Sequence, residues 1–209
     1  MFLAQMSTLV LIPAKPYAEA KSRLATCLSS EQRRALSRYL LLRTVRLARE
    51  AAGRVLVVSR DPGVLADARS EGALGLMEQT IGLNPALDQA THFALRQGAD
   101  AVMVLPADLP LLTGQDIAGM LGCASQPPLV VIAPCRHGTG TNALLVSPPG
   151  LITYAFGPDS FQAHRTAAEA SGAQVRVYRS AGLAFDLDTP QDWQALCEAE
   201  HMHKSVMRT

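Results

Sequence analysis

This chain of 209 residues lacks a large net charge of either sign, because its 19 lysines and arginines are balanced by 18 aspartates and glutamates. The net charge of +1 creates no general field that would attract nucleic acid or an anionic membrane, so any anion site must be local. Cysteine is scarce, and the four cysteines form no C-x-x-C pair, which argues against a zinc knuckle. We expect reduced thiols that pack inside a cytoplasmic protein.

Long apolar runs and the common nucleotide-loop motifs are absent as well. Residues 1–5 carry no basic segment, and the apolar run Leu9 to Ile12 is too short for a signal core or a membrane span. This predicts a soluble, intracellular protein without a membrane partner. No G-x-x-x-x-G-K-[ST] motif occurs, and no G-x-G-x-x-G follows a strand. A Ser-His-Asp or Cys-His arrangement is not evident either.

What the chain does contain is a regular alternation of short apolar runs and amphipathic stretches. Several runs are apolar at consecutive positions, which is typical of strands that helices cover on both faces. The alternation predicts an α/β fold with a three-layer, mainly parallel sheet between helices. We expect a single domain over residues 1–200 and a frayed polar tail over 201–209. The predicted strands are Leu9–Pro13, Arg54–Ser59, Ala101–Pro106, Leu129–Ala133, Asn142–Ser147 and Gln174–Tyr178.

Helix starts are marked by capping residues. Pairs of a hydroxyl residue and an acceptor three positions later predict three capping boxes, at Ser29 with Gln32, Thr113 with Asp116 and Thr189 with Asp192. Asn84, followed by a proline, is predicted to cap a helix that runs to about Gln97. Gly157 and Pro158 are predicted to open a helix that ends near Gly172.

Three aspartates follow predicted strands or extended segments, where open α/β sheets bind ligands. Asp108 stands between two prolines after the third long strand, and Asp186 and Asp188 are two apart. In an extended segment that spacing puts both carboxylates on one face, roughly 7 Å apart. Asp108 could instead bond backbone N–H groups in a turn, and Asp188 could cap a helix. Taken together, the three carboxylates favour a Mg²⁺ site.

Two further segments suit anions. The loop from Pro13 to Leu24 concentrates Lys15, Lys21 and Arg23, which could embrace a triphosphate or could form a solvated basic turn. The segments 136–145 and 156–164 combine small residues and hydroxyls with a helix start near Ser160, a combination that suits a second phosphate. The alternative is a glycine-rich turn and an ordinary helix start. The second region also holds two candidate histidines, His137 and His164.

A basic loop, three carboxylates and an anion cradle on one rim fit nucleotidyl transfer. In this chemistry an acceptor attacks the α-phosphorus of a nucleoside triphosphate and pyrophosphate leaves, so catalysis is mostly alignment and charge neutralisation. An acceptor phosphate is already largely ionised at neutral pH, because its second pKa is about 6. No general base is then needed.

Six segments of the chain together resemble one enzyme family. They are IPAKPYAEAKSRLA, LNPAL, LPADLPLL, GTGTNALL, FGPDSFQAH and FDLDTPQDW. Each is short, but their order is similar to that of the 2-phospho-L-lactate guanylyltransferase family of coenzyme F420 biosynthesis. The resemblance implies a nucleotidyltransferase with a glycosyltransferase-A-like fold, GTP as donor and Mg²⁺ as cofactor. It also implies a phosphorylated three-carbon acid as acceptor, either 2-phospholactate, phosphoenolpyruvate or 3-phosphoglycerate.

The resemblance assigns roles to individual residues. It implies metal binding by Asp108, Asp186 and Asp188, and acceptor binding by Thr141, Gly157 and Ser160. It implies nucleotide binding by Pro13, Lys15, Lys21, Ser22, Arg23, Asn84 and Asp108, with Asp108, Lys21 and Arg23 as the catalytic groups. One departure from the family is Arg136-His137, which precedes the glycine where more acidic or small residues are expected. A homodimer is left open.

Two other functions stay open at this point. A molybdopterin guanylyltransferase or a cytidylyltransferase would usually carry a glycine-rich first loop of the L-x-G-G type, whereas this chain reads Ile12-Pro13-Ala14-Lys15. A regulatory module that binds GTP without turnover would release no pyrophosphate.

Overall fold

The computed structural model describes residues 6–124 and 126–206, with side chains described up to Glu198. Within these residues the strands are β1 Thr8–Pro13, β2 Val55–Ser59, β3 Leu74–Met77, β4 Ala101–Val104, β5 Leu129–Pro134, β6 Thr141–Ser147 and β7 Gln174–Val177. They form one sheet in the order β3-β2-β1-β4-β6-β5-β7. Strand β6 is antiparallel to both neighbours, β4 and β5, and the other four pairings are parallel. The predicted mainly parallel α/β sheet is confirmed.

Helices cover both faces of this sheet. They are α1 Ser30–Ala52, α2 Pro62–Ser70, α3 Leu83–Arg96, α4 Gly114–Gly122, α5 Ser160–Ala170, the single turn α6 Ala181–Ala184, and α7 Pro190–Val206. Successive side chains of a strand point to opposite faces of the sheet, so alternate strand residues pack into two separate hydrophobic cores. Val10 and Ile12 pack with α1, α2 and α4, while Leu9 and Leu11 pack with α3 on the opposite face.

The helix-start predictions are confirmed in three places and wrong in two. Capping boxes stand at Ser29 and Thr113, and Asp192 and Thr189 exchange the same bonds at the start of α7. Asn84 does not cap α3, because Gly82 holds the cap position and Asn84 lies inside the first turn. Helix α5 begins at Ser160 rather than at Gly157, since Asp159 still has a left-handed backbone.

Several features at the ends and edges differ from the prediction or extend it. Strand β3 and helix α2 were not predicted. The backbone continues as α7 through Val206, so the predicted tail at 201–209 is helical where its backbone is described, and residues 207–209 lie outside the described residues. The four cysteines, all in the described part of the chain, form no disulfide as expected, but Cys27 is exposed rather than packed. No helix in the described ranges is both long and apolar enough to cross a membrane.

The direction of the strands decides where a site can form. The carboxyl ends of the parallel strands meet at one edge of the sheet, and ligands of open α/β sheets bind there. Because β6 runs the other way, its first residues, Thr141 and Asn142, reach the same edge.

Candidate active site

Two adjoining cavities open at this edge of the sheet. The first has a volume of about 550 Å³, and the second about 280 Å³. They share a wall formed by Pro13, Leu83, Pro106, Asp108 and Asp188. A pair of cavities with common carboxylates can hold two ligands whose reacting groups meet at the wall.

Lys21 lies at the junction of the cavities, held there by a small apolar cluster. Its backbone is left-handed, with φ of 54°, and the 3-10 helix Ser22–Thr26 follows it. Leu24 and Leu28 pack with Leu40 of α1 and with Leu187, which joins the basic loop to the late segment 185–188. The Lys21 side chain is only 9% exposed, and Nζ donates to the carbonyl oxygen of Leu187 at 2.7 Å.

The ammonium of Lys21 stands between two of the predicted aspartates. Its Nζ is 3.5 Å from Oδ2 of Asp108 and 3.4 Å from Oδ1 of Asp188. The segments that carry them run side by side, since the N–H of Leu187 donates to the carbonyl oxygen of Asp108 at 3.0 Å. Asp186 faces the second cavity, where Oδ1 accepts from Nδ2 of Asn142 at 3.4 Å. All three aspartates therefore line the second cavity.

Negative charge is concentrated at this wall. Burial raises the pKa of Asp108, and the carboxylates of Asp188 and Asp186 raise it further, although Lys21 opposes them. The alternative role of Asp188 as a helix cap is wrong, because Thr189 and Asp192 cap α7. A set of oxygen ligands with excess negative charge is what Mg²⁺ prefers.

The predicted metal ligands do not form a ready-made cluster. Among the described residues, no group of three or more His, Cys, Asp and Glu side chains is placed to hold a metal ion. The ammonium of Lys21 instead stands between Asp108 and Asp188 and offsets part of their negative charge. The carboxylate oxygens of the three aspartates are the donor type that a magnesium ion takes.

Hydroxyls and a glycine form the far wall of the second cavity. The N–H of Thr141 donates to Oγ of Ser160 at 2.9 Å, and both residues are buried except for their cavity side. Gly157 lines the cavity with φ of 148°, in the region that glycine adopts most readily. The three predicted acceptor residues are thus brought together, and Cys135 lies beside them.

Arg136, the departure from the family pattern, has a structural role. Its guanidinium pairs with Asp192 and lies 4.8 Å from the centroid of the Phe185 ring. Burial raises the pKa of Asp192, but bonds from Arg136 and from the N–H groups of Asp188 and Thr189 lower it to about 2. These contacts fix the segment that carries Asp186 and Asp188. His137 is exposed and contacts Arg136 at 3.2 Å rather than either cavity.

The structure does not bring every predicted nucleotide residue into the cavities. Pro13 and Lys15 line the first cavity, but Ser22 and Arg23, both in the described part of the chain, are exposed and lie outside both linings. Asn84 bonds the backbone of Phe156 twice, through Oδ1 at 2.9 Å and Nδ2 at 3.2 Å. It fastens α3 to Phe156 in the wall of the second cavity instead of facing the first cavity.

Sequence reasoning missed several residues that line the cavities. Glu78 and Arg60 line the first, and Cys135 and Phe156 line the second. Glu78 directly follows β3, whose prediction would have identified it as a strand-end residue. Cys135 directly follows β5, which was predicted, so the same rule would have selected it.

Comparison with known proteins agrees with this geometry. The family model described as "Guanylyl transferase CofC like" matches residues 8–205. Phosphoenolpyruvate guanylyltransferase of Rubrobacter xylanophilus is 46% identical over 188 residues, which cover 90% of this chain and 92% of that protein. The 2-phospho-L-lactate guanylyltransferase of Methanothermobacter thermautotrophicus is 37% identical, with 90% and 82% covered.

Solved structures show the same fold at low sequence identity. A chain from Desulfovibrio desulfuricans G20, described as a nucleotide-diphospho-sugar transferase, superposes with a TM-score of 0.75 at 16% identity, with 91% of this chain and 86% of that chain covered. CMP:2-keto-3-deoxy-manno-octonic acid synthetase superposes with a TM-score of 0.63 at 13% identity, with 94% and 99% covered. Together with the family match, these similarities show that the chain belongs to the CofC-like guanylyl transferase family and is a nucleotidyltransferase.

Proposed function

We propose that the enzyme condenses GTP with a phosphorylated three-carbon acid and releases pyrophosphate, as a step of coenzyme F420 biosynthesis in the cytoplasm. The observation that carries this proposal is the pair of cavities that share Asp108 and Asp188. One cavity is bordered by the basic loop and the other by hydroxyls. The acceptor is 2-phospho-L-lactate, phosphoenolpyruvate or 3-phosphoglycerate, and the name of the Rubrobacter relative favours phosphoenolpyruvate.

The first cavity suits GTP. Lys15 and Lys21 border it and supply positive charge for the triphosphate. Glu78 lines the same cavity, and the N–H of Gly82 donates to its Oε1 at 3.0 Å, which fixes the side chain. A carboxylate accepts hydrogen bonds, and the Watson–Crick edge of guanine offers N–H donors where adenine offers a ring acceptor. Glu78 therefore favours guanine over adenine.

Asp108, Asp186 and Asp188 are the residues that would hold Mg²⁺. When bound, the ion would neutralise the phosphate oxygens of the nucleotide and help pyrophosphate to leave. Lys21 contacts two of these carboxylates in the structure. A triphosphate bound at the same wall would therefore accept hydrogen bonds from its ammonium through the phosphate oxygens.

The second cavity suits the acceptor. Thr141, Gly157 and Ser160 surround the place where its phosphate and carboxylate would bind. An oxygen of the acceptor phosphate attacks the α-phosphorus of GTP, a new phosphoanhydride bond forms, and the bond between the α-phosphorus and its bridging oxygen to the β-phosphorus breaks. Because the attacking oxygen is already ionised, the residues align and neutralise rather than remove a proton.

Incubation of the protein with GTP, Mg²⁺ and each of the three acids tests the proposal. We expect pyrophosphate release with at least one acid and a conjugate with the mass of that acid joined to GMP. ATP and CTP in place of GTP serve as controls, and turnover with CTP alone would point to a cytidylyltransferase. Binding of GTP without pyrophosphate release from any acid would indicate a regulatory module and contradict the proposal.

A further inference from the structure

His164 is a buried histidine that the reaction described above does not use. It lies one turn after Ser160 in α5 and has no exposed surface. Both ring nitrogens have partners: the N–H of Ala155 lies 3.0 Å from Nε2, and Oγ1 of Thr141 lies 3.0 Å from Nδ1. The ring of Phe156 packs edge-on against it, with centroids 4.7 Å apart.

These partners determine which ring nitrogen carries the proton. A backbone N–H can only donate, so Nε2 must accept from Ala155. A neutral imidazole has one donor and one acceptor, which places its proton on Nδ1. Burial lowers the pKa of His164 to about 4, so the ring is neutral at physiological pH. Nδ1 therefore donates to the hydroxyl oxygen of Thr141.

The hydroxyl of Thr141 is oriented as a result. Its oxygen accepts from His164, which leaves the hydroxyl proton for a partner on the cavity side. The oxygen of Ser160 likewise accepts from the N–H of Thr141. Thr141 and Ser160 both line the second cavity, and an anion there needs donors.

We propose that His164 is a positioning residue for the acceptor: by donating to Thr141 Oγ1, it turns the threonine hydroxyl into a donor directed at the acid's phosphate or carboxylate. This inference rests on the proposed function, since it concerns the acceptor of that reaction. His164 itself does not touch the acid. The interaction makes the second cavity selective for an anion before one binds.

Two substitutions separate this role from a purely structural one. The side-chain amide of Asn can take the place of Nδ1 and still donate to Thr141, whereas the carbonyl of Gln can take the place of Nε2 and still accept from Ala155. His164→Gln therefore removes the hydrogen bond to the hydroxyl of Thr141 and keeps the one from the N–H of Ala155. His164→Asn does the reverse.

The steady-state kinetics of both variants, with the acid and GTP varied in turn, test the proposal. We expect His164→Gln to raise KM for the acid by roughly tenfold, about 1.4 kcal/mol, with KM for GTP within twofold of wild type. His164→Asn should keep KM for the acid near the wild-type value. Thr141→Val should raise it as His164→Gln does, and combining the two changes should add little. Equal KM values for the Gln and Asn variants would overturn the proposal.

A measurement without turnover distinguishes failure of this inference from failure of the proposed function. The ¹⁵N signals of the His164 ring in the wild-type protein report which nitrogen is protonated. A proton on Nδ1 supports the inference, and a proton on Nε2 overturns it, even if a variant folds poorly. A wild-type protein that turns over none of the three acids would refute the proposed function, whatever the ring signals show.

Discussion

Lowering the pH from 7 to 4 is expected to destabilise the wild-type protein through His164. The ring is buried and neutral in the folded state, where burial lowers its pKa from 6.5 to about 4. The unfolded chain binds a proton below pH 6.5, while the folded chain does not until about pH 4. The unfolded state therefore gains stability across this interval, and folding stability falls as the pH falls.

The size of the effect follows from the two pKa values. Each unit of difference corresponds to about 1.4 kcal/mol, so His164 should cost about 2 kcal/mol of unfolding free energy by pH 5 and about 3 kcal/mol by pH 4. Asp192, whose pKa is lowered to about 2, contributes its own loss of unfolding free energy only below about pH 4. The two contributions thus occupy separate pH ranges.

Urea unfolding of wild type and His164→Gln between pH 4 and 7 measures the effect. Subtracting the two curves cancels the other titrating groups, including Asp108, whose pKa is shifted upward. The stability difference should change by about 3 kcal/mol over the series. A difference independent of pH, or an NMR titration of His164 with a midpoint near 6.5, would refute a buried neutral ring.

Three further outcomes concern residues in and next to the two cavities. Asp108→Asn should lower kcat/KM by roughly 100-fold or more but not the melting temperature, because burial and neighbouring carboxylates already disfavour its charge and raise its pKa. Kinetics and calorimetry on one preparation check both. Lys21→Met should raise KM for GTP by roughly tenfold, and Arg23→Met, at an exposed position outside both cavities, should raise it less; equal increases would contradict the placement. Asn84→Ala should lower the urea unfolding free energy by about 1–3 kcal/mol, because two bonds to Phe156 are lost, whereas unchanged stability would contradict a structural role for these bonds.

The interior of the fold was predictable because its strands are marked by unbroken apolar runs. Six strands and three capping boxes lie where their patterns place them. Strand β3 was missed because Leu74–Met77 holds a glycine and no β-branched residue, whereas β7, which is also a half-exposed edge strand, is marked by two alternating valines. Helix α2 carries a signal that went unused, since Asp61 caps it and Pro62 opens it. The reversal of β6 depends on pairing between distant segments and leaves no local mark.

The site was predictable where a residue's place depends on a strand end, and less so where it depends on packing. Asp108 and Thr141 reach the cavities because their strands end or begin at the same edge. Asn84 follows the right loop, yet its amide points to the backbone of Phe156, a partner 72 positions away. Arg23 is two positions from Lys21 but on the outer side of a 3-10 helix. Such orientations follow from tertiary contacts.

The left-handed backbone of Lys21 has a consequence for the whole molecule. With φ of 54°, this residue occupies a conformation that costs a side chain about 1 kcal/mol or more relative to glycine. Glycine would relieve that strain but would leave Asp108 and Asp188 without their ammonium. The folded chain therefore gives up part of its stability so that one positive charge stands where the two cavities adjoin.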